Sequence, residues 1–436
     1  MARPMGMLLL LAIVAPLCAL SAPASTYRDA AIEAARWIRR AAVTTRAGLT
    51  WPPDPAHPDA TDATLYTGAP GVVLFLLELH AATGDPDYLD EAKRGADDLI
   101  ARLPQQEHSG LYTGISGIGF TLGEVHRATR DPRYRDALRT VVRTLETRAR
   151  RVGAGVQWND VTDVIGGSAG IGLFLLYASD ALEDPTAGSL AVPAADRLLE
   201  LGIPEHGGLH WAMDPKFPRR MPNFSHGTAG VAYFLAAVYD DTTKRKYLDG
   251  ALAGARYLQA IAKSEGDICL IPHNQPDGLD LFYLGWCHGP AGTARLWYRL
   301  SQSTGDATWM DWMARSARAL QQSGIPDART PGFWNNVSQC CGSAGVAQFF
   351  LDLHGITRKP EYLDFARRMT ADLLARGMRD ERGLRWVQAE HRVRPELLVA
   401  QTGYMQGAAG IGMWLLRLDA AERGRKPFVS FPDSPY

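Results

Sequence analysis

The sequence has almost no net charge: 46 lysines and arginines are balanced by 47 aspartates and glutamates among 436 residues. Protein surfaces that bind nucleic acids or anionic membranes are strongly basic. This balance therefore argues against both kinds of partner. Hydrophobic residues make up 46% and charged residues 21% of the chain, which is an ordinary globular composition able to bury a large core.

Long hydrophobic runs are missing beyond the N-terminus. There, residues 7–20 are nearly all apolar, Arg3 supplies a positive charge, and Ala22-Pro23-Ala24 fits a cleavage site of small residues. We therefore predict a signal peptide over residues 1–24, export to the periplasm or the exterior, and one mature domain over residues 25–436. The apolar run is short for a membrane span, and a retained membrane anchor is the alternative.

Cysteine is scarce, and no Cys-x-x-Cys spacing occurs. The mature chain keeps Cys269, Cys287, Cys340 and Cys341. An even number in an exported protein is typical of disulfides. However, the adjacent Cys340 and Cys341 could pair only through a strained ring, and a chain of this length does not need cross-links to fold.

A Gly-x-x-Gly motif followed by an apolar segment occurs seven times, with first glycines at positions 68, 114, 167, 227, 289, 342 and 407. A spacing of 46 to 65 residues is typical of a helix-pair array. Amphipathic helices are predicted before the motifs, most clearly after Asp131-Pro132. Others begin near Tyr27, Tyr88, Tyr247, Thr308 and Tyr362, with a poorer one at residues 189–201.

Short turns carrying an aromatic residue separate the two helices of a unit and predict β-hairpins. They lie at residues 48–51, 155–158, 208–211, 332–334 and 383–386, with weaker forms at residues 110–112 and 266–268. Half-polar helices alternating with wholly apolar ones predict an all-α fold. We expect an α/α toroid, a double ring of seven inner and seven outer helices. Residues before each first glycine then line a common mouth, where helix N-termini converge.

The positions directly before the first glycines are Thr67, Thr113, Gly166, His226, His288, Cys341 and Gln406. One residue earlier lie Tyr66, Tyr112, Ile165, Ser225, Cys287, Cys340 and Met405. The repeat register therefore brings three thiols together in adjoining units. Three thiolates with one open position are the ligand set of a catalytic zinc site.

The ordered motifs Ser225-His226-Gly227, Trp286-Cys287-His288-Gly289 and Cys340-Cys341-Gly342 resemble those of the lanthionine synthetase C-like family. The resemblance covers residues 27–418. It implies an α/α toroid with Zn²⁺ at the mouth. For the cyclases of that family, it implies addition of a cysteine thiol to a dehydroalanine or dehydrobutyrine residue, which gives a thioether.

The resemblance also assigns site residues. Cys287 and Cys340 match two metal ligands, and Cys341 stands where the commoner pattern has histidine. His226 and Asp163 match catalytic residues. The basic residue that cyclases often carry shortly before Trp-Cys is absent here, where Tyr283 and Leu284 precede Gly285. The Trp-Cys-His-Gly motif is closer to that of the eukaryotic-type members, which are associated with glutathione addition.

The leading hypothesis is thus a monomeric zinc enzyme that acts on a peptide containing a dehydroamino acid. The thiol comes from a peptide cysteine or from a small thiol such as glutathione. The alternative is a zinc-containing toroid that binds a peptide or thiol without turnover. A toroid glycosidase is disfavoured because it needs two carboxylates across the mouth, and the helix-start positions offer only Asp163. We expect His288 and Cys269 to be packing residues.

Overall fold

The computed structural model describes residues 26–214, 216–217 and 219–436. The signal-peptide prediction lies outside these ranges. Within them, 14 α-helices account for most of the chain. They span Thr26–Arg40 (α1), Ala69–Thr83 (α2), Pro86–Arg102 (α3), Ile115–Thr129 (α4), Pro132–Arg148 (α5), Ser168–Leu182 (α6), Ala191–Leu201 (α7), Thr228–Thr242 (α8), Arg245–Ile261 (α9), Pro290–Thr304 (α10), Thr308–Gln322 (α11), Ser343–Thr357 (α12), Pro360–Ala375 (α13) and Ala408–Glu422 (α14).

The helices form two concentric rings, which confirms the predicted α/α toroid. Each even-numbered helix packs against the next even-numbered one, and α14 closes the inner ring by packing against α2. The odd-numbered helices lie outside, each against an inner helix, with α1 on α14. No helix in the described ranges is both long and apolar enough to cross a bilayer.

Burial follows the sequence pattern of each ring. In α2, every residue from Ala69 to Leu79 is buried, because inner helices are covered on all sides. In α5, burial is limited to one face, formed by Tyr134, Ala137, Leu138, Val141, Val142 and Leu145. This is the face that the i, i+3, i+4 spacing predicts.

The described residues also form five antiparallel β-hairpins. Their strands are Val43–Thr44 (β1), Leu49–Thr50 (β2), Arg150–Val152 (β3), Gly155–Gln157 (β4), Ile203–Glu205 (β5), Gly208–His210 (β6), Met378–Asp380 (β7), Gly383–Arg385 (β8), Gln388–Ala389 (β9) and Leu398–Val399 (β10). Four of the seven predicted hairpins are confirmed. Residues 110–112 form no strand, residues 266–268 lie within a single bridge between Lys263 and Leu270, and at residues 332–334 only a single bridge between Thr330 and Phe333 forms.

At residues 332–334, a tertiary contact replaces the hairpin. The chain after Phe333 bonds to β9 instead of to its own preceding segment. Trp334 Nε1 donates to the Ala389 carbonyl, and the Ala389 N–H donates to the Asn335 carbonyl, both at 2.9 Å. The β9–β10 hairpin that accepts this pairing was not predicted.

The glycine motifs mark a tight turn onto each inner helix. At Gly292, a Cβ atom would lie 1.8 Å from the Trp286 carbonyl oxygen, six residues earlier. The second glycines of five other units meet the carbonyl oxygen six residues earlier at 1.8–2.3 Å. A side chain does not fit at these positions, so the loop folds directly over the first helical turn.

The ends of these turns are joined into a closed belt of backbone hydrogen bonds. Cys287 N–H donates to Cys340 O, Cys340 N–H to Met405 O, and Met405 N–H to Tyr66 O, at 2.9–3.0 Å. The remaining links run from Tyr66 to Tyr112, Tyr112 to Ile165, Val164 to Ser225, and Ser225 to Cys287. The belt confirms the register predicted for the mouth, with one link shifted from Ile165 to Val164.

Residues 424–436 follow α14 and enter the ring from the end opposite the mouth. The Phe428 and Val429 N–H groups donate to the Glu78 carboxylate at 2.8 Å. Further in, the buried Asp433 accepts a 2.7 Å bond from Arg295 of α10. This C-terminal segment therefore fills the ring centre beneath the mouth.

Candidate metal centre

Three cysteine thiols meet at the mouth. Cys287 precedes α10, and Cys340 and Cys341 precede α12. Their side chains are buried, at 4%, 3% and 8% exposure. Cys341 Sγ lies 3.2 Å from Cys287 Sγ and 3.3 Å from Cys340 Sγ. None of the four cysteines in the described ranges forms a disulfide.

The donor set fits Zn²⁺. All three sulfurs lie within 4.8 Å of one another, and soft thiolates are ligands that zinc prefers. They line a cavity of about 270 Å³, so a fourth ligand position can be reached from the mouth. Cys269 is not part of the cluster, and burial raises the pKa of its thiol to about 12.

Tyr66 and Gln406 support the thiols from the first and last units. Tyr66 Oη donates to Cys340 Sγ at 3.2 Å, and Gln406 Nε2 donates to Tyr66 Oη at 3.1 Å. Hydrogen bonds from Cys287 and Cys341, followed by that from Tyr66, hold the pKa of Cys340 well below its usual range. A thiol with a lowered pKa is ready to act as a thiolate ligand.

His226 and Asp163 form a second polar pair beside the thiols. Asp163 Oδ1 accepts bonds from the Gly166 and Gly167 N–H groups at 2.8 and 3.0 Å. Its Oδ2 lies 2.6 Å from His226 Nδ1. With Nδ1 held in this way, Nε2 of His226 is left for the cavity, which His226 lines.

The environment of His226 favours its protonated form. Burial opposes the charge, but the hydrogen bond that His226 donates to Asp163, together with the negative charge of that carboxylate, outweighs burial and raises the pKa of His226. Cys340 adds a smaller effect of the same sign. His226 is therefore suited to hold a proton near neutral pH.

His288 lies behind this pair, with its ring centroid 5.3 Å from that of His226. Burial, then the neighbouring His226 and His273, lower the pKa of His288 well below its usual range. Its buried Nδ1 has no hydrogen-bond partner among the described residues. The ring packs against His226 and His273 and also lines the thiol cavity, so the packing role of His288 stays a prediction.

The sequence profile of the "Lanthionine synthetase C-like protein" family matches residues 59–431. This chain belongs to that family. Among solved structures, the lanthionine synthetase C-like chain is similar to nisin cyclase, with a TM-score of 0.65 at 15% identity over 93% of this chain and 96% of the other. No curated protein gives a significant sequence match.

Two glycoside-processing proteins share the ring architecture. They are an inactive variant of the α-1,6-mannanase GH76A of Salegentibacter sp. HEL1_6 (TM-score 0.51, 14% identity, 90% of this chain and 99% of the other) and an unsaturated glucuronyl hydrolase specific for heparin (0.50, 13%, 93% and 99%). At these identities, the likeness concerns the fold alone.

The thiol cavity of the lanthionine synthetase C-like protein does not offer a pair of catalytic carboxylates. Among the described residues that line it, Glu390 is the one carboxylate, and it accepts a 2.8 Å bond from Gln401. Asp163 is already bonded to His226. This arrangement does not favour the glycosidase alternative.

The repeat register missed part of the cavity wall. Glu390, His391, Arg392 and Val393 reach the cavity from the β9–β10 hairpin. They stand in no Gly-x-x-Gly unit, so no pattern in the sequence connects them with the thiols.

Proposed function

We propose that this lanthionine synthetase C-like protein forms thioethers by adding a thiol to a dehydroamino acid residue, as in lanthionine cyclisation. The observation that carries the proposal is the meeting of three buried thiols and His226 in one cavity, with His226 held by Asp163. Cys287, Cys340 and Cys341 would hold a Zn²⁺ ion. When bound there, Zn²⁺ supplies the acidity that ionises a substrate thiol at neutral pH.

Residues of the protein carry out the proton transfers. In the addition, the S–H bond breaks, an S–Cβ bond forms, the Cα=Cβ bond becomes single, and a proton is added to Cα. His226 Nε2 takes up the thiol proton and returns one to Cα, so no proton is gained or lost overall. Asp163 holds the ring and stabilises its charged form, as expected for general acid–base catalysis.

The size of the cavity limits which part of a substrate can enter it. Its volume of about 270 Å³ is slightly below the range of small-molecule sites. It accommodates the reacting side chains, while the rest of a peptide lies outside the mouth. The acceptor is a dehydroalanine or dehydrobutyrine residue, and the donor is a peptide cysteine or a small thiol such as glutathione. We further propose that the protein acts as a monomer, after export through the predicted signal peptide.

Metal analysis tests the centre. Purified wild-type protein should contain about one equivalent of zinc, and Cys287→Ala should contain almost none, since two thiols do not form a tight site. Cys269→Ala is the matched control and should retain the metal, because Cys269 is buried away from the cluster. Less than about half an equivalent in the wild type would contradict the zinc site.

Turnover is tested separately. Zinc-loaded protein is incubated with a dehydroalanine peptide and a free thiol, and the adduct is measured by mass. We expect addition well above the uncatalysed rate. A zinc-loaded protein without such a rate would instead support the second candidate, a zinc-containing toroid that binds a peptide or thiol without reaction.

A further inference from the structure

The β9–β10 hairpin delivers a positive charge to the thiol cavity. Arg392 lies in the loop between the two strands and lines the cavity with Cys287, Cys340 and Cys341. Its Nε donates to Tyr283 Oη at 3.2 Å. Among the described residues that line this cavity, Arg392 is the one with a guanidinium or ammonium group.

The anchor of Arg392 is firmly packed. The Tyr283 ring stacks on His273, with centroids 3.9 Å apart and planes 9° from parallel. It also contacts Trp334, at a centroid distance of 5.1 Å. Because Tyr283 is fixed by both neighbours, the bond to its hydroxyl defines where the guanidinium is held.

The guanidinium charge is not neutralised by the protein. Across the part of the chain that the structure describes, Arg392 makes no ion pair, and its terminal Nη1 and Nη2 atoms make no hydrogen bond. Other arginines on nearby loops are paired, namely Arg219 with Asp277, Arg220 with Glu205, and Arg385 with Asp380. Glu390, two residues from Arg392, is bonded to Gln401 instead.

An unpaired guanidinium with two free amino groups is a ready site for a negative oxygen. The proposed addition creates such an oxygen. As the thiolate sulfur attacks Cβ, the electron pair of the Cα=Cβ bond moves toward the carbonyl of the same residue, and its oxygen gains negative charge until Cα is protonated. A preorganised donor at that oxygen stabilises the transition state more than the ground state.

We propose that Arg392 binds the carbonyl oxygen of the dehydro residue and stabilises the charge that develops there, with Tyr283 as its positioning residue. The inference rests on the proposed thioether-forming function. In this arrangement, the dehydro residue makes two contacts in the cavity. The Arg392 guanidinium binds its carbonyl oxygen, and His226 donates a proton to its Cα.

The test measures kcat and KM for thiol addition to a dehydroalanine peptide with zinc-loaded Arg392→Gln. Removing a donor to a developing oxyanion lowers kcat by about 10²–10³ fold, while KM should change less than about 3-fold because the ground-state carbonyl is neutral. The kcat of Arg392→Lys should fall between those of the wild type and Arg392→Gln. Lysine keeps the positive charge but lacks the planar pair of N–H donors of a guanidinium. Added guanidinium ion should restore part of the rate of Arg392→Ala.

Two variants act as controls. Arg394→Gln removes an exposed arginine from the same hairpin loop that does not line the cavity, and its kcat should equal that of the wild type. Tyr283→Phe keeps the ring stacked on His273 but removes the hydroxyl. It should lower kcat in the same direction as Arg392→Gln, by a smaller factor, with zinc content and Tm unchanged.

Each other outcome overturns the inference. If Arg392→Gln matches Arg394→Gln in kcat, or changes only KM, Arg392 does not stabilise the transition state, yet the proposed function stands. Loss of zinc or a lowered Tm in Arg392→Gln would show a structural role instead. A zinc-loaded wild type without turnover would overturn the proposed function itself, which the wild-type measurement reveals before any variant is made.

Discussion

Asp163 uses both carboxylate oxygens, and this fixes His226. One oxygen accepts two backbone N–H groups at the start of α6, and the other lies against His226 Nδ1. The two residues belong to neighbouring units of the ring. Their units are joined by the bond from Val164 N–H to Ser225 O, so the toroid itself sets the geometry of the proton-transfer pair.

We predict that Asp163→Asn shifts the pH dependence of catalysis. The carboxylate raises the pKa of His226 because it stabilises the imidazolium form. An amide removes that stabilisation, so the pKa of His226 falls. Because His226 must be neutral to accept the thiol proton, the acidic limb of kcat/KM should move to lower pH, and this is measured from a pH–rate profile.

His226→Gln provides the comparison, since it removes the titrating group. The rate of thiol addition by this variant should fall by about 10²–10⁴ fold, while zinc is retained. The acidic limb of its kcat/KM profile should disappear. If Asp163→Asn and the wild type give the same acidic limb, His226 is not the group that titrates there.

At this scale, the repeat register was enough to find the thiols and His226. Each of them stands one or two residues before a Gly-x-x-Gly motif, where the chain must face the mouth. The register also placed Tyr66 and Gln406 there, but not their bonds to each other and to Cys340, because these depend on side-chain rotamers. Arg392 lies outside every unit, so only the folded chain shows its position.

Each inner helix is preceded by a turn so tight that a glycine is required. The carbonyl oxygen of the sixth preceding residue occupies the space of a side chain at the second motif glycine in six units. In the fifth unit, that carbonyl belongs to Trp286, the neighbour of Cys287. Turn geometry and thiol position are therefore coupled.

We predict that Gly292→Ala weakens zinc binding. A Cβ atom 1.8 Å from the Trp286 carbonyl oxygen forces the backbone next to Cys287 to move, which displaces one donor of the centre. Zinc affinity, measured by competition with a chelator, should fall at least about 10-fold, as for other changes that displace ligands, and Tm should also drop.

Gly355→Ala is the matched control. It lies in α12, and a Cβ atom there meets no neighbour within 4 Å. Because alanine favours the helix, it should keep zinc affinity and stabilise the protein by up to about 1 kcal/mol. Equal zinc affinity in the two variants would mean that the turn does not position Cys287.

The helices and most hairpins could be predicted because their patterns are local. Periodic burial identifies the amphipathic face of α5, and a Gly-x-x-Trp turn identifies the β7–β8 hairpin. Strands β9 and β10 have two residues each, too few for an alternating pattern, and no Gly-x-x-Trp turn joins them. Their pairing and that of residues 334–336 are set by tertiary contacts.

In the whole molecule, the C-terminal segment and the mouth are connected through one buried ion pair. Arg295 is held by Asp433 from below, and its guanidinium lies 5.7 Å from the centre of the Trp286 ring. Tyr112 Oη also donates to Asp433 at 3.1 Å. The segment thus supports the layer on which the thiol centre rests.

We predict that Asp433→Asn destabilises the protein by about 3–5 kcal/mol, because the buried Arg295 would lose the carboxylate to which it is hydrogen-bonded. Chemical denaturation measures the change. Asp327→Asn is the control, since Asp327 pairs with Arg368 on the surface, where a pair contributes at most about 1 kcal/mol. Equal effects would show that the Arg295–Asp433 pair does not secure the segment.

The closed belt of backbone hydrogen bonds has a consequence for the order of events during synthesis. Cys340 donates to Met405, and Met405 donates to Tyr66, so the layer that contains the thiols joins the seventh unit to the first. The ribosome must have synthesised the seventh unit before this join is possible. Metal uptake should therefore be a late step, following completion of the ring, and truncated chains that end before α14 should fail to retain zinc.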